Sequence, residues 1–206
     1  MKLPALFWFL CWSLILVSSG SLAAQMVKVR NIEFNDTFRQ ADEDWLQMEV
    51  ELRANQKNPD PEAINENYLT NVLVEVTMAY KNPQSDSEQK FLFFRNSITL
   101  AALEQGNDRT TYFFLPGEVI EMYDLPNRPP YAYVRFEVEG EEIPPNENHL
   151  YDKLKPNMLE SFKQMADNYE DQTEGMLVNM LEAPWYVMDE VELDEVPAFI
   201  LKKSEF

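Results

Sequence analysis

The chain has 206 residues, with 36 Asp and Glu against 17 Lys and Arg, a formal net charge of −19, one cysteine and one histidine. That surplus of negative charge makes nucleic acid and anionic membrane surfaces poor partners, because both repel it. Cys11 lies in an N-terminal leader, so the exported chain has no disulfide, no thiolate metal site and no cysteine nucleophile, and a single histidine leaves no zinc site of the usual kinds.

Residues 1–24 read as a secretory signal peptide. Lys2 precedes an apolar run from Leu3 to Val17, and Ser21, Leu22, Ala23 and Ala24 follow, so cleavage is expected after Ala23 or Ala24. The run is short of the roughly 20 residues that cross a bilayer, and only an uncleaved leader would hold the protein to a membrane. Cleavage removes Lys2 and takes the side-chain charge to −20. Export without disulfides points to a bacterial periplasm or cell surface, or to secretion.

VKVRNIEF (Val27 to Phe34) reads as a strand with a fault. Val27 and Val29 share a parity that Ile32 and Phe34 do not, and one extra residue near Arg30 and Asn31, forming a bulge, would restore the inward face. In WLQMEVEL (Trp45 to Leu52), Leu46, Met48, Val50 and Leu52 alternate with Gln47, Glu49 and Glu51, the period of a half-buried strand. Asn55 to Tyr68 is a loop with a helical turn from Pro61. NVLVEVTMAYK (Asn71 to Lys81) repeats the alternation, and Asn82 to Gln89 is a polar hairpin loop. Lys90–Asn96 and Ser97–Leu103 read as two strands separated by a turn or bend at Arg95 and Asn96. Thr110–Leu115 and AYVRFEV (Ala132 to Val138) are the late strands. Proline cannot donate to a strand ladder, so Pro116, Pro126, Pro129 and Pro130 shape the connection between them.

Seven strands within about 115 residues and no long helix among them predict an all-β, immunoglobulin-like antiparallel β-sandwich over residues 25–143. Residues 144–206 form a C-terminal extension. It opens with a Pro- and Asn-rich connection and continues with a helix near 157–170, where Leu159, Phe162, Met165, Ala166 and Tyr169 make one apolar stripe. Gly175 to Leu181 reads as a short helix or a strand. Trp185, Tyr186 and Val187, then Phe199, Ile200 and Leu201, are separated by acids. A tail this apolar packs on the sandwich, docks on another subunit or folds on binding.

The chemistry-bearing residues are few. A Ser-His-Asp triad would need His149, and no Gly-x-Ser-x-Gly elbow accompanies it, so a small secreted hydrolase is the reading with least support. The acids of Asp42–Asp44 and Asn58–Glu62 lack calcium-loop spacing and its central glycine, and read as solvated loops. No catalytic residue, metal ligand or cofactor site is assigned. Instead, Tyr123, Arg128 and Tyr131 at the proline corner, with Trp185, Tyr186, Phe199 and Ile200 in the tail, form a candidate surface for a protein partner or a second copy. The alternative is a carbohydrate-binding module whose Tyr112, Tyr123, Tyr131 and Tyr133 stack on sugar rings. The competing role for those tyrosines is to fill the core and cross-strand pairs.

The succession VKVRNIEFN, WLQMEVELRAN, NVLVEVTMAYK, KFLFFRN, YFFLPGEVIE and YVRFEVEGEEI resembles a family of exported immunoglobulin-like proteins encoded with type IV pilus-like operons in Verrucomicrobia. The most specific pieces are the aromatic-Leu-Pro-Gly-Glu strand end at Phe114 to Glu118 and the Trp45 to Leu52 strand. The likeness runs from Val27 to Ile143 and rests on strand order and spacing. It implies an envelope protein associated with pilus-like assembly or adhesion that self-associates. It carries over no functional residue, and the tail past Ile143 matches none of its motifs.

Overall fold

The computed structural model describes residues 26–40, 43–83, 89–169, 172–189 and 196–199. The leader lies outside them. In chain order the strands are β1 (Val27–Gln40), β2 (Glu43–Ala54), β3 (Tyr68–Lys81), β4 (Phe91–Glu104), β5 (Asp108–Leu115), β6 (Tyr131–Val138), β7 (Glu141–Glu142), β8 (Leu150–Asp152), β9 (Val178–Asn179) and β10 (Ala198–Phe199). The helices are α1 (Gly117–Met122), α2 (Leu159–Tyr169) and α3 (Trp185–Met188).

Two antiparallel sheets result, one ordered β1-β2-β5-β9 and the other β10-β4-β3-β6-β7, with β8 also paired to β6. β1, β2 and β5 hold the A, B and E positions of an immunoglobulin-like sandwich, and β3 and β6 hold C and F. β4 lies beside β3, as C′ does, and not in the β2-β5 sheet.

Alternation decides which residues meet between the sheets. Leu46, Met48, Val50 and Leu52 of β2 face the even-numbered residues Val72 to Tyr80 of β3 and Ala132, Val134 and Phe136 of β6 in one buried cluster. In β1, Val29 is opposite Leu52 and Asn31 opposite Glu51, so Arg30 is the extra residue. That bulge lets Val27, Val29 and Phe34 all reach the core although their parities differ.

β4 corrects one expectation. Its register with β3 runs without slip from Phe91 opposite Lys81 to Glu104 opposite Tyr68, so Arg95 and Asn96 form no turn. The change of apolar parity has another cause: the sheet is covered on both faces. Phe94, Ile98 and Leu100 point between the sheets. Phe93 points outward, where Leu159, Phe162 and Ala166 of α2 bury it together with Ala79 and Tyr133. Phe93 and Phe162 meet edge to face at 5.5 Å and 71°. Burial of Leu159 and Phe162 contributes about 1.5–3 kcal/mol each, which holds this 11-residue helix on the sheet.

The expected α2 stripe is therefore satisfied within the chain. Further tail segments are fastened by β9 on β5, β10 on β4 and β8 on β6. Asn179 of β9 clasps the other sheet, its Nδ2 donating to Asn96 Oδ1 and to the Ser97 carbonyl, both at 3.0 Å. A second departure is α1, a helix just after Pro116 in a connection expected to be a loop.

Candidate interaction surface

The proline corner sits where β3 ends and β6 begins. Arg128, Pro129 and Pro130 lead into Tyr131, which lies opposite Asp152 of β8, while Tyr151 lies opposite Ala132. The Lys153 N–H donates to the Pro130 carbonyl at 3.1 Å, which fixes the corner against β8. Lys81, Arg128, Tyr131, Tyr151 and Lys153 line a depression of about 490 Å³ here, with Asp152 the only acid among its described lining residues. Among the described residues, neither Lys81 nor Lys153 has an ion pair or side-chain hydrogen bond. Tyr151 is held by Phe34, ring centroids 4.7 Å apart. In a chain of net charge −19, the two exposed lysines Lys81 and Lys153 make this corner attractive to an anionic group.

Tyr131 also forms the wall of a neighbouring groove of about 240 Å³, between the start of α2 and the outer face of the second sheet. Its lining is mostly apolar: Phe91, Phe93, Leu154, Met158 and Met165. Met158 is left 40% exposed at its rim.

The tail residues lie elsewhere. Val187 is wholly buried in the core between the sheets and pins α3, whereas Trp185 is 75% exposed. The rings of Trp185 and Tyr186 meet edge to face at 6.0 Å and 84°. Phe199, on the β10 edge of the second sheet, is 37% exposed. Ile200 lies outside the described residues. Tyr123 belongs to the core wall, its ring edge-on to Phe94 at 6.3 Å. The fold thus joins Arg128 to Tyr131 and keeps Trp185, Tyr186 and Phe199 apart from them.

Sequence reasoning missed Lys81, Tyr151 and Lys153. They come from segments distant in the chain and only strand pairing assembles them. The sugar-stacking set is corrected, because Tyr112 is buried in the main hydrophobic cluster and Tyr133 beneath α2, and neither can face a glycan.

Beneath α2 lies a second polar cluster, paired within itself. Arg135 reaches Glu142 at 3.2 Å, Glu75 at 3.6 Å and also Glu137. Lys163 pairs with Glu142 at 3.2 Å and sits 5.3 Å from the Tyr133 ring centre. Arg95 pairs with Asp167 at 2.9 Å. Burial, with the Glu142 charge adding to it, pushes the Tyr133 phenol up and keeps it protonated. Burial alone would raise Glu142, but Lys163 and Arg135 more than offset it and hold it below the usual carboxylate range. These pairs tie α2 to the sheet.

His149 is wholly buried, edge-on to Phe136 at 5.3 Å. Burial pulls it down to about 4, so it is neutral at pH 7. In the loop that carries Asp60 and Glu62, Asn58 Oδ1 and Asp60 Oδ1 accept from the N–H groups of Asp60 and Glu62 at 3.0 and 2.9 Å, closing turns. Among the described residues no group of three or more His, Cys, Asp and Glu side chains is placed to hold a metal ion.

No protein-family model matches this chain, and no curated protein matches it in sequence. In fold it is similar to a crystal structure of a protein from Akkermansia muciniphila, at 14% identity and a TM-score of 0.58, over 85% of this chain and 92% of that one. At that identity the likeness is one of architecture, the all-β two-sheet sandwich.

Proposed function

We propose that this chain is an exported, non-enzymatic interaction protein that works by protein contact in a pilus-like or cell-surface assembly. Trp185 carries the reading. A 75% exposed tryptophan on a helix pinned by a buried Val187 is a large apolar side chain held rigidly in water. Such residues are the anchors around which protein interfaces form. The N-terminal leader read from the sequence supports export of that anchor, and no helix among the described residues is long and apolar enough to cross a membrane. The strand-order resemblance to proteins of pilus-like operons supports the assembly context. The fold likeness to a protein from Akkermansia muciniphila, a member of the Verrucomicrobia, agrees with it. The glycan alternative loses support with the burial of Tyr112 and Tyr133.

The test is photo-crosslinking in cells of the source organism, with the probe amino acid at position 185 and, as a control, at the fully exposed Ile64 in the β2–β3 loop. One protein adduct of defined mass from position 185, and none from position 64, is expected. No adduct from 185, or the same diffuse pattern from both positions, refutes the reading.

A further inference from the structure

Trp185 and the two depressions around Tyr131 have complementary chemistry. The groove beside α2 is apolar and holds about 240 Å³. A cavity of about 150 Å³ accepts benzene, and drug-sized ligands need roughly 300 Å³ or more, so this groove suits one aromatic side chain. Across Tyr131 lies the corner with Lys81 and Lys153. A ligand that fills both therefore carries an aromatic anchor followed closely by negative charge.

The chain itself contains that ligand. Trp185 is followed one helical turn later by the exposed Asp189, and in sequence by Glu190, Glu192, Asp194 and Glu195. Trp185 cannot reach the groove of its own chain. Val187 is fixed in the core between the sheets, two residues from Trp185, whereas the groove opens on the outer face of the second sheet.

We infer that the partner at this surface is a second copy of this chain, with Trp185 of one copy seated in the Phe91–Tyr131–Met158 groove of the next and Asp189 facing Lys81 and Lys153. This rests on the protein-contact reading and names its partner. Anchor and groove lie on different parts of the molecule, so the contact is head to tail and grows into an open chain or a closed ring. The ionic half weakens as salt rises, and the apolar half persists.

The test uses residues 25–206, which hold every described element, in light scattering over a concentration series. The wild type is expected to grow beyond a dimer as concentration rises. Trp185→Ala, and separately Lys81→Glu with Lys153→Glu, each weaken association by roughly thirty-fold or more, the loss expected for an interface hot spot. All three sites are exposed, and circular dichroism checks that the variants stay folded. Mixing the two variants is the decisive arm, because each retains one intact half. A mixed pair that stops at a dimer supports the proposal. Wild-type chains that remain monomeric, or association that survives both changes, overturn it. A crosslink from position 185 to a protein of different mass also overturns the second-copy assignment while leaving the protein-contact reading standing, whereas no crosslink removes both.

Discussion

Acidifying the protein should destabilise it through His149. The Oδ1 of Asn146 already accepts from the Asn148 N–H at 2.9 Å, so its amide nitrogen faces His149 Nε2 at 3.3 Å. The neutral ring can accept there, which the charged ring cannot. Burial lowers the folded-state value to about 4, more than offsetting a bond to the Val134 backbone that favours the charged ring, against about 6.5 in an unfolded chain. The unfolded chain therefore binds the proton more tightly. The stability that neutral His149 provides is present above pH 6.5, declines as pH falls below it, and is lost by about pH 4. The slope approaches about 1.4 kcal/mol per pH unit, giving a loss of roughly 2 kcal/mol between pH 7 and pH 5 and roughly 3 in full. Urea unfolding at a series of pH values measures this, with His149→Gln as the reference. The chain's 36 Asp and Glu titrate in both proteins, so the difference between them isolates the ring. The variant should be less stable at pH 7, and the two curves should converge towards acid. A difference that stays constant from pH 7 to pH 5 would refute a neutral, buried His149.

Two further substitutions test how the tail is fastened. Phe93→Ala removes the ring that Phe162 covers and should cost about 3–5 kcal/mol in urea unfolding, whereas the same change at Phe199, 37% exposed on β10, should cost far less. Asn179→Ala breaks both bonds to β4 and the one that Oδ1 accepts from the Leu181 N–H at 2.9 Å. A loss of about 2 kcal/mol is expected, with hydrogen exchange rising first from Leu177 to Met188 and not in β3 or β6. Uniform exchange across both sheets would show that the clasp belongs to the global core.

Period-two alternation made β2, β3 and β6 legible because the residues facing between the sheets are apolar and most of those opposite are polar, although α2 buries Ala79 and Tyr133, and the misphased valines of β1 even revealed the bulge at Arg30. The same rule failed at β4. Phe93 and Phe94 have opposite parities, and both are buried, one under α2 and one between the sheets. A strand covered on both faces loses its alternation, and the sequence of β4 says nothing about a helix that arrives some 60 residues later. Tyr112 and Tyr133 were ambiguous for a related reason, since a tyrosine suits a strand whether it faces a glycan or a core.

The tail shows where sequence runs out. Phe162, Val187 and Trp185 are comparably apolar, and each stands near acidic neighbours. Composition therefore cannot separate packing on the sandwich from docking on another subunit. The fold separates them residue by residue. Phe162 is covered by Phe93, Val187 is enclosed in the core, and Trp185 is left outside although Val187 fixes its position only two residues away. Had the whole tail been unsatisfied, weak folding would explain it; had all of it been buried, no partner would be needed. An exposed indole two residues from the buried Val187 leaves burial of Trp185 to another molecule, and the Tyr131 groove supplies a place for it on a second copy.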